Sequence, residues 1–138
     1  AKIFEECDGI VVPSPVYYAS ANATLIALLD RLFYSSKFDK TMKVGAAVTV
    51  ARRGGCTATF DELNKYFAIC GMPIAPSQYW NSIHGSKPGE ALEDEEGLQI
   101  MRTLGKNMAW LLKCIDLGKQ NGIDRPAGEK KIRTNFIR

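Results

Sequence analysis

The 138-residue chain is short of the residues that most often announce a function. It has one histidine, His84, so any Ser-His-Asp or Cys-His site would have to use it, and nothing near it reads as a nucleophile elbow. Its four cysteines, Cys7, Cys56, Cys70 and Cys114, include no CxxC pair, which argues against a metal or cluster site built from these residues. Cysteines so widely spaced in an α/β chain suggest a reducing, cytoplasmic setting. No apolar run approaches the ~20 residues of a membrane span, so no membrane partner is expected. No basic-then-apolar signal peptide opens the chain. There is no initiator Met either, and the sequence begins inside a helical pattern, so an amino-terminal part is expected to be missing. Charge of one sign is scarce. The net +3 comes from the end of the chain, where Lys119 to Arg138 carries six basic and two acidic residues. A nearly neutral body with a basic tail is poor ground for a nucleic-acid binder.

What is present fits one soluble α/β domain. Hydrophobic residues make up 46% and charged residues 24%, an ordinary globular balance, and the length is enough for a real core. Ala1 to Glu6 reads as a helix end, with Ile3, Phe4 and Cys7 on one side. A first strand, Asp8 to Pro13, holds the unbroken apolar run Ile10-Val11-Val12, which suits a strand buried on both faces. Pro13 and Pro15 cannot donate ladder hydrogen bonds, so the strand is expected to stop there. Ser20 or Asn22 can cap a helix over Ala23 to Tyr34. Its stripe is Leu25, Leu28, Leu29 and Leu32, widened by Ile26, Ala27 and Phe33 into a helix buried on two sides, by another subunit or by a missing part of the chain.

The second strand is Lys43 to Ala51, with Gly45, Ala46 and Ala47 small enough for close helix approach. Thr59-Phe60-Asp61-Glu62 is a capping box and predicts a helix with Phe60, Leu63, Phe67 and Cys70 inward and Gly71 as terminator. Pro73 to Trp80 reads as a third strand, held to an edge by Pro76. A polar loop, Asn81 to Leu92, follows. The last helix starts in the acidic cluster Glu93 to Glu96 and runs through Leu98, Met101, Leu104, Met108, Leu111, Leu112 and Ile115 to Gly118. This divides the chain into an α/β domain over 1–118 and an extended arm over 119–138.

Two loops lie at carboxyl ends of consecutive parallel strands, the edge where open α/β sheets bind ligands. The first offers the Ser14 hydroxyl, rigid Pro15, apolar Val16, and Tyr17 and Tyr18. A flat heterocycle needs such a surface: apolar contact for its faces and a few polar groups for its edge. The second, from Ala51 through Arg52, Arg53, Gly54 and Gly55 to Cys56, offers two guanidiniums and two glycines before a helix. Glycines let backbone N–H groups approach an acceptor edge, and a helix amino terminus favours negative charge. Alone, the first loop could be a strand terminator with packed aromatics and the second a solvated turn. Paired at one sheet edge, they suit a ring that becomes electron-rich, as a reduced flavin does.

These residues carry a resemblance. Pro13-Ser14-Pro15-Val16-Tyr17-Tyr18, followed by Ala27-Leu28-Leu29-Asp30-Arg31, resembles a segment of the NADPH-dependent FMN reductase and iron–sulfur flavoprotein branch of the flavodoxin-like superfamily. Ala51-Arg52-Arg53-Gly54-Gly55 is similar to that branch's second flavin loop, and Gly97-Leu98-Gln99-Ile100-Met101-Arg102 and the closing Thr134-Asn135-Phe136-Ile137-Arg138 also resemble it. The resemblance implies a flavodoxin-like three-layer sandwich with strand order 2-1-3-4-5, of which this chain supplies the last three strands and lacks the first two. It implies FMN at the carboxyl edge, its ring held by Ser14 to Tyr18 and Ala51 to Cys56, and a homo-oligomer, dimer or tetramer. The cysteine cluster of iron–sulfur members would lie in the missing part, so cluster status is open.

The expected activity is an FMN-dependent oxidoreductase, its flavin reduced by NAD(P)H and discharged to a small-molecule or redox-protein acceptor, with no side-chain acid or base required. Two alternatives stay open: an electron-transfer flavoprotein that does not use NAD(P)H directly, and a non-enzymatic α/β interaction module. With no phosphate-binding loop among its segments, residues 1–138 by themselves are expected to bind FMN weakly or not at all.

Overall fold

The computed structural model describes residues 1–137. In chain order the elements are α1 (Lys2–Glu6), β1 (Gly9–Tyr17), β2 (Ser20–Ala21), α2 (Ala23–Ser35), β3 (Val44–Ala51), α3 (Cys56–Ile69), β4 (Ser82–His84) and α4 (Glu95–Gln120). The sheet order is β2-β1-β3-β4, with β1, β3 and β4 parallel and the two-residue β2 antiparallel on the outer side of β1.

The central strand is β3, and its sequence explains why. Val44 through Thr49 is buried at every position, as a strand covered on both faces must be. One face packs under α1, α2 and α3, where Phe4, Val12, Leu29, Ala47, Leu63 and Phe67 form one core. The other packs under α4, where Val44, Ala46 and Val48 meet Leu104, Met101 and Met108. The result is a three-layer α/β sandwich. Gly45 sets the spacing of α3: a Cβ there would lie 2.5 Å from Cγ of Phe67, a ring only 1% exposed.

Four expectations are corrected. First, β1 does not stop at Pro13; it continues to Tyr17 with both prolines inside it. The reason is parity. The Val44 N–H donates to the Asp8 carbonyl, so the even-numbered residues of β1 turn their backbone groups toward β3. Pro13 and Pro15 therefore present their missing donors to the side away from β3, where no ladder bond is lost among the described residues.

Second, the third strand is Ser82–His84, in the segment read as a loop, and Pro73 to Trp80 contributes only an isolated bridge at Ile74. Ile74 pairs with Gly45 and Ser82 with Thr49, so eight residues of chain pass beside four of β3. The surplus leaves the sheet and exposes Tyr79 and Trp80. The buried Asn81 side chain closes the gap by donating to the Ala47 carbonyl at 3.1 Å.

Third, Thr59 and Glu62 do not form a capping box. Helix α3 already starts at Cys56 with Gly55 as N-cap, and Thr59 is buried within it. Fourth, β1 is not buried on both faces: α4 lies over β3 and β4 and leaves Val11 49% exposed, and Leu28 of the expected α2 stripe is exposed, as are Ile3 and Cys7 beside buried Phe4.

Elsewhere Asn22 caps α2 by accepting from the Thr24 and Leu25 N–H groups, and Gly71, at φ +65°, ends the turn after α3. Helix α4 runs two residues past Gly118. Beyond Gly122 the described residues have no regular structure, although the Arg125 guanidinium pairs with Asp39 at 2.5 Å. Arg138, the end of the expected arm, lies outside the described residues.

Gly45→Ala tests the close approach. The added methyl collides with a buried ring that has no room to retreat, so the variant should lose roughly 1–3 kcal/mol of stability. Urea unfolding reads this as a lower midpoint; an unchanged midpoint would mean that α3 rides clear of the sheet.

Candidate functional site

Because β1 continues through its prolines, it delivers the chain to a tight hairpin beyond the sheet's carboxyl edge. Tyr18 (φ 51°) and Ala19 (φ 58°) both adopt left-handed conformations between the paired residues Tyr17 and Ser20. Two positive φ values match a two-residue type I′ turn, whose preferred residues are Asn and Gly. Held by Tyr and Ala, the turn is strained and needs outside support. Glu62, from the second turn of α3, gives it: the carboxylate accepts from Ser20 Oγ at 2.9 and 3.0 Å and from the Ala21 N–H at 2.8 Å.

The second loop meets this hairpin directly. Gly55 sits at φ +93°, and a Cβ there would lie 2.9 Å from both Ala19 Cα and Val16 Cγ1. Only glycine permits both the conformation and the approach. No side chain caps the α3 start, so the first-turn N–H groups of Cys56, Thr57 and Ala58 face the carboxyl edge without intrahelical acceptors. The Arg52 and Arg53 guanidiniums are exposed beside them. A helix start and two guanidiniums make this edge favourable for an electron-rich group.

The expected site residues divide by placement. Tyr17, Tyr18, Pro15, Arg52, Arg53 and Gly54 are exposed at the edge, and Val16 and Gly55 are half-buried where the loops touch. Ser14 is not available to a ligand. It is 1% exposed, and its hydroxyl accepts from the Asn22 N–H and donates to the Pro15 carbonyl. Ala51 is buried in the ladder, opposite His84, and Cys56 is 8% exposed.

Sequence reasoning missed three residues. Glu62 holds the hairpin. His84, at the carboxyl end of β4, places Nε2 3.9 Å from Cys56 Sγ. Asp94 caps α4 through the Gly97 N–H at 2.9 Å, accepts from the His84 N–H at 2.7 Å, and lies 3.6 Å from His84 Nδ1. The Gly97 N–H is the main cause holding the Asp94 carboxyl below its ordinary range, with the His84 N–H adding to it against partial desolvation. An Asp three residues before Gly97 was a readable cap signal; only a correctly placed β4 would have brought His84 to Cys56.

A separate cavity of about 780 Å³ lies at the opposite, amino end of the sheet, lined by Asp39, Lys43, Ile115 and Arg125 among others. It shares no residue with the two loops. Among the described residues, no three His, Cys, Asp or Glu side chains group as a metal site, and no helix is long and apolar enough to cross a membrane.

Residues 1–87 match the family described as NADPH-dependent FMN reductase. An iron–sulfur flavoprotein of Methanocaldococcus jannaschii is 34% identical over 122 residues, covering 83% of this chain and 63% of that protein. An iron–sulfur flavoprotein of Methanosarcina thermophila is 33% identical over 121 residues, covering 83% and 62%. The chain thus spans less than two thirds of the length of either relative. Among solved structures, RosB with a bound 8-demethyl-8-formylriboflavin-5′-phosphate intermediate superposes with a TM-score of 0.64 at 14% identity, over 99% of this chain and 65% of RosB. A WrbA-like flavodoxin from Agrobacterium tumefaciens gives 0.54 at 15% identity, over 77% and 71%. Both likenesses place the sandwich in the flavodoxin-like fold, as the sequence resemblance implies.

Glu62→Ala should release the hairpin without unfolding the domain. The Ala21 N–H and Ser20 hydroxyl lose their acceptor, at a cost of roughly 1–3 kcal/mol. Amide hydrogen exchange should rise at Ala21 while the β3 amides stay protected. Unchanged exchange at Ala21 would remove Glu62 from this role.

Proposed function

The chain belongs to the NADPH-dependent FMN reductase family, and from that premise we propose that it holds the isoalloxazine ring of FMN against its two carboxyl-edge loops and serves an oxidoreductase that draws on NAD(P)H. The observation that carries this reading is the contact of Gly55 with Val16 and Ala19 beside the uncapped start of α3.

The residues present suit the group. Val16, Tyr17 and Tyr18 offer apolar and aromatic surface to the faces of a flat ring. The free N–H groups of the first α3 turn, with Arg52 or Arg53, offer donors and positive charge to its pyrimidine edge. Gly54 leaves the approach open, since a Cβ there would meet nothing within 4 Å. Hydride exchange with NAD(P)H and electron delivery to an acceptor are the chemistry that FMN supplies when bound. The chain's own part is to seat the ring, favour charge at its edge and keep the two loops at fixed spacing. Ser14 supports the seat from within by fixing the entry to α2.

The names of the two relatives, both iron–sulfur flavoproteins, support a second reading in which electrons pass without direct use of NAD(P)H. The four free cysteines support a cytoplasmic setting for either. Leu28 and Tyr34 on the outer side of α2, with Phe136 and Ile137 in the tail, are exposed apolar residues that a second copy could cover, so we also propose a homo-oligomer. Light scattering with and without the residues after Gly128 tests it, and a monomer in both refutes it.

Purified in its full length, the protein should show flavin absorption that NAD(P)H bleaches without oxygen. Flavin bands unaffected by NAD(P)H would select the second reading, and a full-length protein that takes up no FMN would overturn both. Arg52→Ala and Arg53→Ala should differ: the guanidinium at the ring edge should lower the flavin midpoint potential when removed, and the other should leave it in place. If neither lowers the potential, the electronic role is wrong.

A further inference from the structure

Three element ends meet beside the two loops. Cys56 opens α3, His84 ends β4 and Asp94 caps α4. Their side chains stand in sequence: Sγ to Nε2 at 3.9 Å, then Nδ1 to Oδ2 at 3.6 Å. This is the order of nucleophile, base and orienting carboxylate that defines an activated side chain. Asp94 is fixed by two backbone donors, Gly97 N–H and His84 N–H, so its position does not depend on the imidazole. A carboxylate facing Nδ1 favours the proton there and leaves Nε2 as the acceptor toward sulfur. One turn along the same face of α3, Thr59 is fully buried and its hydroxyl has no partner.

We propose that Cys56 is a thiol reactive toward hydrogen peroxide, with His84 taking its proton and Asp94 positioning the imidazole. In the reaction, Sγ attacks one peroxide oxygen and the O–O bond breaks. Sulfur is oxidised by two electrons to the sulfenic acid, and the peroxide is reduced by the same two. His84 receives the thiol proton and passes it to the departing hydroxide, which leaves as water. At 8% exposure, Cys56 admits a small uncharged oxidant and excludes bulky alkylating reagents, which sets it apart from the exposed Cys7 and Cys114. The inference does not depend on a flavin in the neighbouring loops.

The four cysteines compete within one molecule, so the test carries its own reference. The protein is treated with hydrogen peroxide for set times, and the peroxide is removed with catalase. The chain is then unfolded in urea containing dimedone so that sulfenic acids are trapped wherever they lie, and each cysteine is quantified by peptide mass spectrometry. Cys56 should be trapped at least about tenfold faster than Cys7 or Cys114, a modest share of what a positioned proton acceptor can supply. His84→Ala should bring Cys56 down to or below the exposed thiols and leave Cys7 and Cys114 unchanged. The imidazole is 46% exposed, so its removal opens no hole in the core. His84→Asn serves if the alanine variant shows altered circular dichroism. Equal rates at Cys56 and the exposed thiols, or a Cys56 rate that neither substitution changes relative to Cys7, would overturn the proposal.

Discussion

The parallel ladder between Gly9–Pro15 and Val44–Val50 is the constraint on which the rest depends. Its parity decides which residues of β1 donate inward. A one-residue slip would turn Pro13 and Pro15 toward β3, cost two ladder bonds and end the strand early. In the observed register the prolines face outward and stiffen a strand that has no full-length neighbour on that side among the described residues. The strand can then reach past the sheet and place Tyr17 and the hairpin where the loop after β3 touches them. Both prolines keep their missing donors off the β3 ladder, and the strand runs on to Tyr17.

What β1 delivers is held by contacts of different kinds. Gly55 fits the hairpin by lacking a side chain, and Glu62 ties it from the next turn of the same helix. Gly55 is the N-cap of α3 and Glu62 lies in its second turn, so the hairpin, the arginine loop and the helix start are tied to one another. That coupling matters for a flat ligand. A ring seated between loops loses complementarity if either shifts by a fraction of an ångström, and positive-φ turns of Tyr and Ala do not hold themselves.

Much of this was legible in the sequence. The doubly covered strand β3, the α4 stripe and the meeting of the two loops follow from period and strand order. The failures have physical causes. Proline reads as a stop when its cost is counted without the side of the strand it faces. The third strand escapes a hydrophobic pattern because Asn81, a polar residue, completes the sheet through its side chain. Ser14 looks available as a hydroxyl between prolines, whereas the Asn22 N–H claims it. Glu62 fits its own helix by local spacing, whereas its partners lie in the hairpin, 41 and 42 residues earlier in the chain.

The start of α3 shows how one local choice sets the chemistry of the whole edge. Two signals compete there: the capping box at Thr59 and the glycine at position 55. The capping box offers two reciprocal side-chain bonds and would begin the helix near Phe60. Starting at Gly55 instead adds a turn of backbone hydrogen bonds and buries Thr59, with its hydroxyl left unpaired, a cost of order 1–3 kcal/mol. The gain lies in tertiary contact. The longer helix seats Gly55 against Val16 and Ala19, turns Glu62 toward Ser20, and puts Cys56 opposite His84. It also leaves a first turn whose donors no side chain occupies. A helix begun at the capping box would have satisfied two donors with its own side chains and presented neither the Cys56 to Ala58 N–H groups nor the thiol at the carboxyl edge. The local rule loses because three long-range contacts depend on the earlier start, and those contacts bring the hairpin, the arginine loop and β4 together at the carboxyl edge.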